Sequence, residues 1–170
     1  MRVIFIILLS LFTSLALAQN KSATPLYDAL MARDTVSSLE VDCAKEGHLL
    51  NQIHKVVGLS SLRLENLSQF PTNLVELSSL ERLFIKGDLQ YLPSAEYHKL
   101  VSLRYVSIEA KIRDIHQDFG KIPYLRYLYL WNTDLKEIPT CLFQLETLKQ
   151  LGLENNPILK ISDQIGNLKN

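Results

Sequence analysis

The chain of 170 residues has little of several residue types that mark common functional sites. It has no excess of either charge, since 18 basic side chains balance 18 acidic ones. Nucleic-acid binding needs a clustered basic excess, so this balance argues against nucleic acid as the main partner. The six glycines form no phosphate-binding loop. With only two cysteines, Cys43 and Cys141, the chain can form at most one internal disulfide.

A long apolar run stands at the N-terminus, where Arg2 precedes it and Ala16-Leu17-Ala18 ends it. The small-x-small ending is the pattern that signal peptidase cuts. Hydroxyl side chains interrupt the run, and it is too short for a membrane span of about 20 residues. We therefore predict that residues 1–18 are a signal peptide and that the chain is exported to the periplasm, cell surface or medium. A retained signal anchor is the alternative. Cleavage before Gln19 would remove Arg2 and leave a net charge of −1 (17 basic minus 18 acidic side chains).

A pair of apolar residues separated by one position recurs along the chain. Its successive steps are 23, 21, 23, 22 and 23 residues. The six pairs are Leu39/Val41, Leu62/Leu64, Leu83/Ile85, Val106/Ile108, Leu128/Leu130 and Leu151/Leu153. Residues of one strand face alternate at period 2, so each pair predicts a short strand with these residues pointing inward. Such units expose too much apolar surface to fold alone and gain stability by stacking.

Three apolar residues at intervals of three precede each of the last five pairs. They are Ile53/Val56/Leu59, Leu74/Leu77/Leu80, Tyr97/Leu100/Leu103, Phe119/Ile122/Leu125 and Leu142/Leu145/Leu148. This spacing predicts a short helical or 3₁₀ return segment on the opposite side of each unit. Pro71, Pro93 and Pro139 mark the turns between strand and return, because proline cannot extend a strand ladder.

The repeat resembles the leucine-rich repeat family, in the 23-residue subtype whose turn reads Leu-x-x-Leu-Pro. Together with the predicted signal peptide, the chain resembles an exported, bacterial-type member of that family. The best matches are LRYLYLWNTDLKEIPTCLFQL (125–145) and LKQLGLENNPILKISDQIGNL (148–168). The resemblance covers residues 36–168. It implies an α/β solenoid, or horseshoe, with a parallel sheet on the concave face, short helical or 3₁₀ returns on the convex side, and binding rather than catalysis. The family's usual Asn after the strand is present only as Asn156, while Asp88, Lys111 and Thr133 take its place elsewhere. We therefore expect less regular turns in the first half.

The two ends of a solenoid need covers. Residues 19–35 are expected to form an N-terminal cap, with Leu26, Leu30 and Met31 on one side of a helix within residues 23–32. Residues 36–170 would be the repeat domain, with about six repeats. The last repeat shows no comparable cover, so it is either its own frayed cap or part of a longer protein.

The predicted architecture keeps the two cysteines apart. Four strand steps separate their repeats, roughly 19 Å at the usual strand spacing. A disulfide needs Cα atoms within about 7 Å, so we predict no bridge between them. Cys141 is expected to be a small apolar residue at a buried or half-buried position. Cys43 is either the same or a free thiol beside the concave face.

The outward strand positions form three columns across the repeats. The columns are Ser38, Ser61, Arg82, Tyr105, Tyr127, Gln150; Glu40, Arg63, Phe84, Ser107, Tyr129, Gly152; and Asp42, Glu65, Lys86, Glu109, Trp131, Glu154. Five aromatic side chains gather in the third to fifth repeats, and charged residues surround them. This composition is typical of a protein-recognition surface. We predict that it binds a protein partner. The predicted anchors are Phe84, Tyr105, Tyr127, Tyr129 and Trp131, and the predicted orienting charges are Arg82, Lys86, Glu109 and Glu154.

Four other interpretations of the same surface stay open. The rings could stack only on one another and on the stems of Arg82 and Lys86. They could bind a glycan, or mediate self-association together with the C-terminal edge. The chain could also be the recognition part of a longer surface protein or enzyme.

The sequence offers poor candidates for catalysis. His48, His54, His98 and His116 fall in different repeats, which favours neither a metal cluster nor a histidine relay. Glu109 lies two repeats from Glu65 and from Glu154, roughly 10 Å in strand spacing. That separation does not give the close carboxylate pair of a retaining glycosidase. We predict a non-enzymatic protein without metal or cofactor.

Overall fold

The structure, a computed structural model, describes residues 26–32 and 35–167. The predicted signal peptide and residues 19–25 of the predicted cap lie outside them. The described helices are α1 (Leu26–Met31) and α2 (Cys43–Glu46). The strands are β1 (Ser38–Asp42), β2 (Ser61–Leu67), β3 (Arg82–Gly87), β4 (Tyr91–Leu92), β5 (Tyr105–Ala110), β6 (Asp114–Ile115), β7 (Tyr127–Trp131) and β8 (Gln150–Gly152).

The principal sheet is parallel and has six strands in the order β1-β2-β3-β5-β7-β8. Its register places the first inward residues opposite one another, Leu39 against Leu62, Leu83 against Val106, and Leu128 against Leu151. From β1 to β7, none of the paired apolar residues is more than 3% exposed. The predicted fold class is confirmed, since each repeat contributes one strand whose period-2 pattern buries one face.

The described residues contain six 3₁₀ segments, and the first five are the returns that the sequence predicts before the last five inward pairs. The six segments are Gly47–Lys55, Thr72–Glu76, Tyr97–Lys99, Gln117–Lys121, Thr140–Gln144 and Asp163–Asn167. Pro71 and Pro139 stand immediately before two of them, and their carbonyls accept from the amides of Leu74 (2.9 Å) and Leu142 (3.0 Å). Leu74 and Leu142 are fully buried. Each proline thus starts a turn that carries the next apolar side chain into the core.

The short second repeat produces a local irregularity between β2 and β3. Leu64 pairs with Ile85, an offset of 21 residues, whereas Leu67 pairs with Gly87, an offset of 20. Asn66, inside this bulge, has a φ of 55°, and an asparagine tolerates that left-handed backbone better than most residues. A second, two-stranded parallel sheet is formed by β4 and β6, and it connects the turns of two repeats. The sequence pattern does not predict this second sheet.

Helix α1 covers the N-terminal end of the core. Its backbone amides at Leu26 and Tyr27 donate to the two carboxylate oxygens of Glu46, each at 3.2 Å. Leu26 and Ala29 are its buried residues, whereas Met31 is 65% exposed. The predicted apolar stripe is therefore wrong at Met31. A helix of six residues turns its i and i+3 positions inward, and Met31 falls outside that narrow stripe.

The opposite end of the core is more open. Leu151 and Leu153 are only half-buried, in contrast to their equivalents in the other repeats. Beyond them Leu159, Ile161 and Ile165 are 86%, 62% and 41% exposed.

Both cysteines are free thiols. Cys141 is 3% exposed, with Sγ 3.9 Å from the Ile115 carbonyl, and the prediction of a small buried residue is confirmed. Cys43 is half-buried. Burial raises the pKa of each thiol to about 11, and Asp42 and Glu65 add to the shift at Cys43. Neither thiol is therefore a thiolate near neutral pH.

Candidate binding surface on the open face of the sheet

The five predicted anchor residues meet on the face of the sheet that is turned away from the core. The register places Tyr105 opposite Tyr127 and Glu109 opposite Trp131. Ring centroids are 5.1 Å apart for Phe84 and Tyr105, 5.4 Å for Tyr105 and Tyr129, and 5.5 Å for Tyr129 and Trp131. Tyr127 joins through Tyr105 at 6.4 Å. These five rings form one continuous surface, which we call the aromatic patch.

The rings of the aromatic patch cover one another in part. Tyr127 and Trp131 are each 37% exposed, and the other three rings are half-buried. Burial, with the neighbouring Tyr105 and Tyr127, raises the pKa of the Tyr129 hydroxyl. Mutual stacking therefore accounts for part of the patch, and Tyr127 and Trp131 are its most accessible members.

Two small residues create the space in which these rings lie. Gly152 stands opposite Tyr129 in the sheet, and a Cβ at Gly152 would lie 2.5 Å from Cδ1 of the Tyr129 ring. Ser107, only 9% exposed, stands opposite both Phe84 and Tyr129. Because neither position carries a large side chain, the rings can lean over the sheet. The sequence columns include both residues but give no sign of this role.

A basic residue lies over the N-terminal end of the patch. The Arg63 guanidinium carbon is 4.6 Å from the centroid of the Phe84 ring, and its Nη1 lies 3.5 Å from Oε1 of Glu65. In the stacking alternative the rings pack against the stems of Arg82 and Lys86, but the cation over Phe84 comes from Arg63. Residues that are opposite in register lie side by side, and Arg63 is the partner of Phe84 on β2. Lys86 instead pairs with Glu109 at 3.1 Å, and Arg82 is an exposed residue of β3 opposite Tyr105.

Carboxylates flank the C-terminal end of the patch. The Trp131 indole Nε1 donates to Oε2 of Glu154 at 2.7 Å, and this bond orients the ring. On the other side stands Glu109, which accepts from the Asn132 amide at 3.3 Å. Asn132 follows the strand with a φ of 52°, and this conformation turns the chain away from β7. Trp131 therefore lies between two acidic side chains.

A depression of about 180 Å³ lies within the patch. Its side-chain lining comes mainly from Arg63, Phe84, Lys86, Tyr105, Ser107, Glu109 and Trp131. Sites for drug-sized ligands usually occupy about 300–1,000 Å³, so this depression suits one or two side chains of a partner. Larger hollows of about 590 Å³ lie among the turns and returns, away from the rings.

Among the described residues, no group of three or more His, Cys, Asp or Glu side chains could hold a metal ion. Within the same residues, no helix is long and apolar enough to cross a membrane. Nδ1 of His116 lies 3.1 Å from Oδ2 of Asp118, and the same carboxylate oxygen accepts from the Ser94 hydroxyl (2.6 Å). Hydrogen bonds from the Lys121 ammonium and the Ser94 hydroxyl lower the pKa of the Asp118 carboxyl group to about 2. This trio braces a turn and does not have the order of a catalytic triad.

Comparison with known proteins finds partial sequence relatives and a structural neighbour. No family model matches the chain. A putative disease resistance protein of Arabidopsis thaliana is 31% identical over 137 residues, which cover 78% of this chain and 11% of that protein. The volume-regulated anion channel subunit LRRC8B of Mus musculus is 29% identical over 109 residues, 63% of this chain and 13% of that protein. The chain thus spans about a tenth of each curated relative.

A solved structure, that of a leucine-rich repeat protein of Leptospira interrogans, superposes with a TM-score of 0.68 at 21% identity. The match covers 85% of this chain and 44% of that one. Its fold is the one that the repeat pattern predicts. The chain is a leucine-rich repeat protein.

The leucine-rich repeat pattern also explains Asn156. Its side-chain amide donates to the carbonyls of Leu130 (2.7 Å) and Leu153 (2.8 Å), and its oxygen accepts from the Thr133 amide (2.9 Å) and hydroxyl. One side chain thus satisfies partly buried backbone groups of two repeats. Thr133, which replaces the usual Asn in the preceding repeat, is 2% exposed and contributes its hydroxyl to the same network.

Proposed function

We propose that this leucine-rich repeat protein is a non-enzymatic binding module that recognises a protein partner through the aromatic patch. The observation that carries the proposal is the continuous set of five rings on the open face of the sheet. Charged side chains surround the rings, and the depression among them has the size of a side chain. Solenoid proteins commonly bind partners on their extended concave surface. In a leucine-rich repeat fold that surface is the open face of the parallel sheet, the face that carries the aromatic patch.

The contacts within the patch order its side chains before a partner binds, which favours high affinity for one partner over adaptable binding of many. The bond from Trp131 to Glu154 and the packing of Tyr129 over Gly152 hold the rings in place before a partner arrives. Side chains that are already ordered lose less entropy on binding. Interface anchors are often aromatic and lie within a rim of charged residues. Arg82, Lys86, Glu109 and Glu154 would therefore set the orientation and association rate of the partner more than its affinity.

Replacement of Trp131 or Tyr127 by alanine is expected to weaken partner binding by at least about 2 kcal/mol, roughly 30-fold in Kd. Affinity capture with the wild-type chain, followed by mass spectrometry, would identify the partner. Calorimetry with the purified partner then gives the Kd of each variant.

Tyr91→Ala is the matched control, because Tyr91 is 56% exposed and lies on β4, outside the principal sheet. It should bind the partner like the wild type. Equal affinity of the Trp131 and Tyr127 variants and the control would refute the proposal that the patch is the binding surface.

We also propose that the chain is exported and processed before Gln19. The basis is the apolar run that ends at Ala16-Leu17-Ala18. In a secreting bacterial host, mass spectrometry of the recovered protein should find Gln19 as the N-terminal residue. Ala18→Lys should block this cleavage, because the peptidase requires a small residue there. A wild-type protein that keeps Met1 and stays in the cytoplasm would contradict export.

A further inference from the structure

The two ends of the aromatic patch differ in charge, although each combines an aromatic ring with a carboxylate. At the Phe84 end, the neighbouring strand supplies a cation: Arg63 lies 4.6 Å from the ring centroid and contacts Glu65. At the Trp131 end, the adjacent side chains are Glu109 and Glu154. The cation–ring contacts found among the described residues involve Phe84 and Tyr124. None of them involves Trp131.

The charge at the Trp131 end is only partly balanced within the chain. Lys86 neutralises Glu109 at 3.1 Å. Glu154 accepts from the uncharged Trp131 indole, and no ion pair among the described residues includes it. The carboxylate at Glu154 therefore places negative charge at the edge of an indole ring that is 37% exposed. A cation over an indole is attracted to the ring face, and a nearby carboxylate adds to that attraction.

We propose that the Trp131 end of the patch binds an arginine side chain of the partner protein. The guanidinium would stack on the Trp131 ring and pair with Glu154, as Arg63 stacks on Phe84 and pairs with Glu65 within the chain. Arginine fits better than lysine because its planar guanidinium both stacks and pairs with a carboxylate. The inference rests on the proposed function, since it names the chemistry of the partner at the same surface.

Intrinsic fluorescence can test this site directly, because Trp131 is the single tryptophan of the sequence. The probe is a short Gly/Ser peptide with regularly spaced arginines, titrated into the full chain. A peptide with citrulline in place of each arginine has the same shape without the charge. We expect a saturable change in fluorescence with the arginine peptide and at least about tenfold weaker binding of the citrulline peptide. Added salt should weaken the arginine complex.

Glu154→Gln separates the charge from the structure of the site. A glutamine oxygen can still accept from the Trp131 indole, so the spectrum of the free variant should match the wild type. Its affinity for the arginine peptide should fall about fivefold. Glu137→Gln changes the charge equally on a turn residue outside the principal sheet, and it should leave the affinity unchanged.

Three results would overturn the arginine site. The first is equal binding of the arginine and citrulline peptides, which would leave the patch as a peptide-binding surface without a cation anchor. The second is the absence of any arginine-dependent fluorescence change, and the third is an equal effect of Glu154→Gln and Glu137→Gln on the affinity. The proposed function has its own test in the partner affinity of Trp131→Ala, so the two failures can be told apart.

Discussion

Leu128→Ala is expected to lower the free energy of unfolding by about 2–5 kcal/mol, the largest effect that we predict for a single side chain. Leu128 is fully buried, on β7, with Val106 and Leu151 as its register neighbours. Its truncation would leave a cavity between repeats, and a solenoid depends on its contacts between neighbouring repeats. Urea unfolding followed by circular dichroism measures the change.

Leu159→Ala is the matched control, since Leu159 is 86% exposed. The same substitution there should change the stability by no more than about 0.5 kcal/mol. If Leu128→Ala cost as little as Leu159→Ala, the register that places Leu128 inward would be wrong. A loss confined to one phase of a multiphase transition would show that the repeats do not unfold as one unit.

Gly87→Ala is expected to cost about 3 kcal/mol, at the upper end of the usual range for overpacking. A Cβ at Gly87 would lie 2.2 Å from the Leu67 carbonyl oxygen and 2.4 Å from the Leu67 nitrogen. These are backbone atoms of a paired strand, so the side chain cannot rotate away and the strands must separate. Thermal and urea unfolding of the variant give its cost.

Gly47→Ala provides the corresponding control. At Gly47 a Cβ would meet only the Cys43 Cβ at 3.9 Å, an ordinary contact, and its φ of −55° suits alanine. This variant should be as stable as the wild type, or slightly more stable. Wild-type stability of Gly87→Ala would contradict the close approach of β2 and β3 at the bulge.

Much of the fold follows from local pattern. The inward pairs at steps of 21 to 23 residues predict both the six strands and their partners, and the observed register agrees at each step. The agreement has a simple cause, because a slip by one residue would turn every buried leucine to solvent. The pattern says less about α1, where the short helix buries Ala29 and leaves Met31 exposed.

The candidate site, too, has features that the sequence pattern determines and features that it leaves open. The period-2 alternation by itself determines that five rings share a face, those of Phe84, Tyr105, Tyr127, Tyr129 and Trp131. Successive residues of a strand point to opposite faces, so a residue next to an inward leucine, isoleucine or valine must point outward. The alternation does not decide how the rings meet. Arg63 over Phe84, the bond from Trp131 to Glu154, and the room above Gly152 join residues that are about one repeat apart. Those contacts depend on side-chain torsions and on the spacing of adjacent strands, so only the tertiary structure decided them.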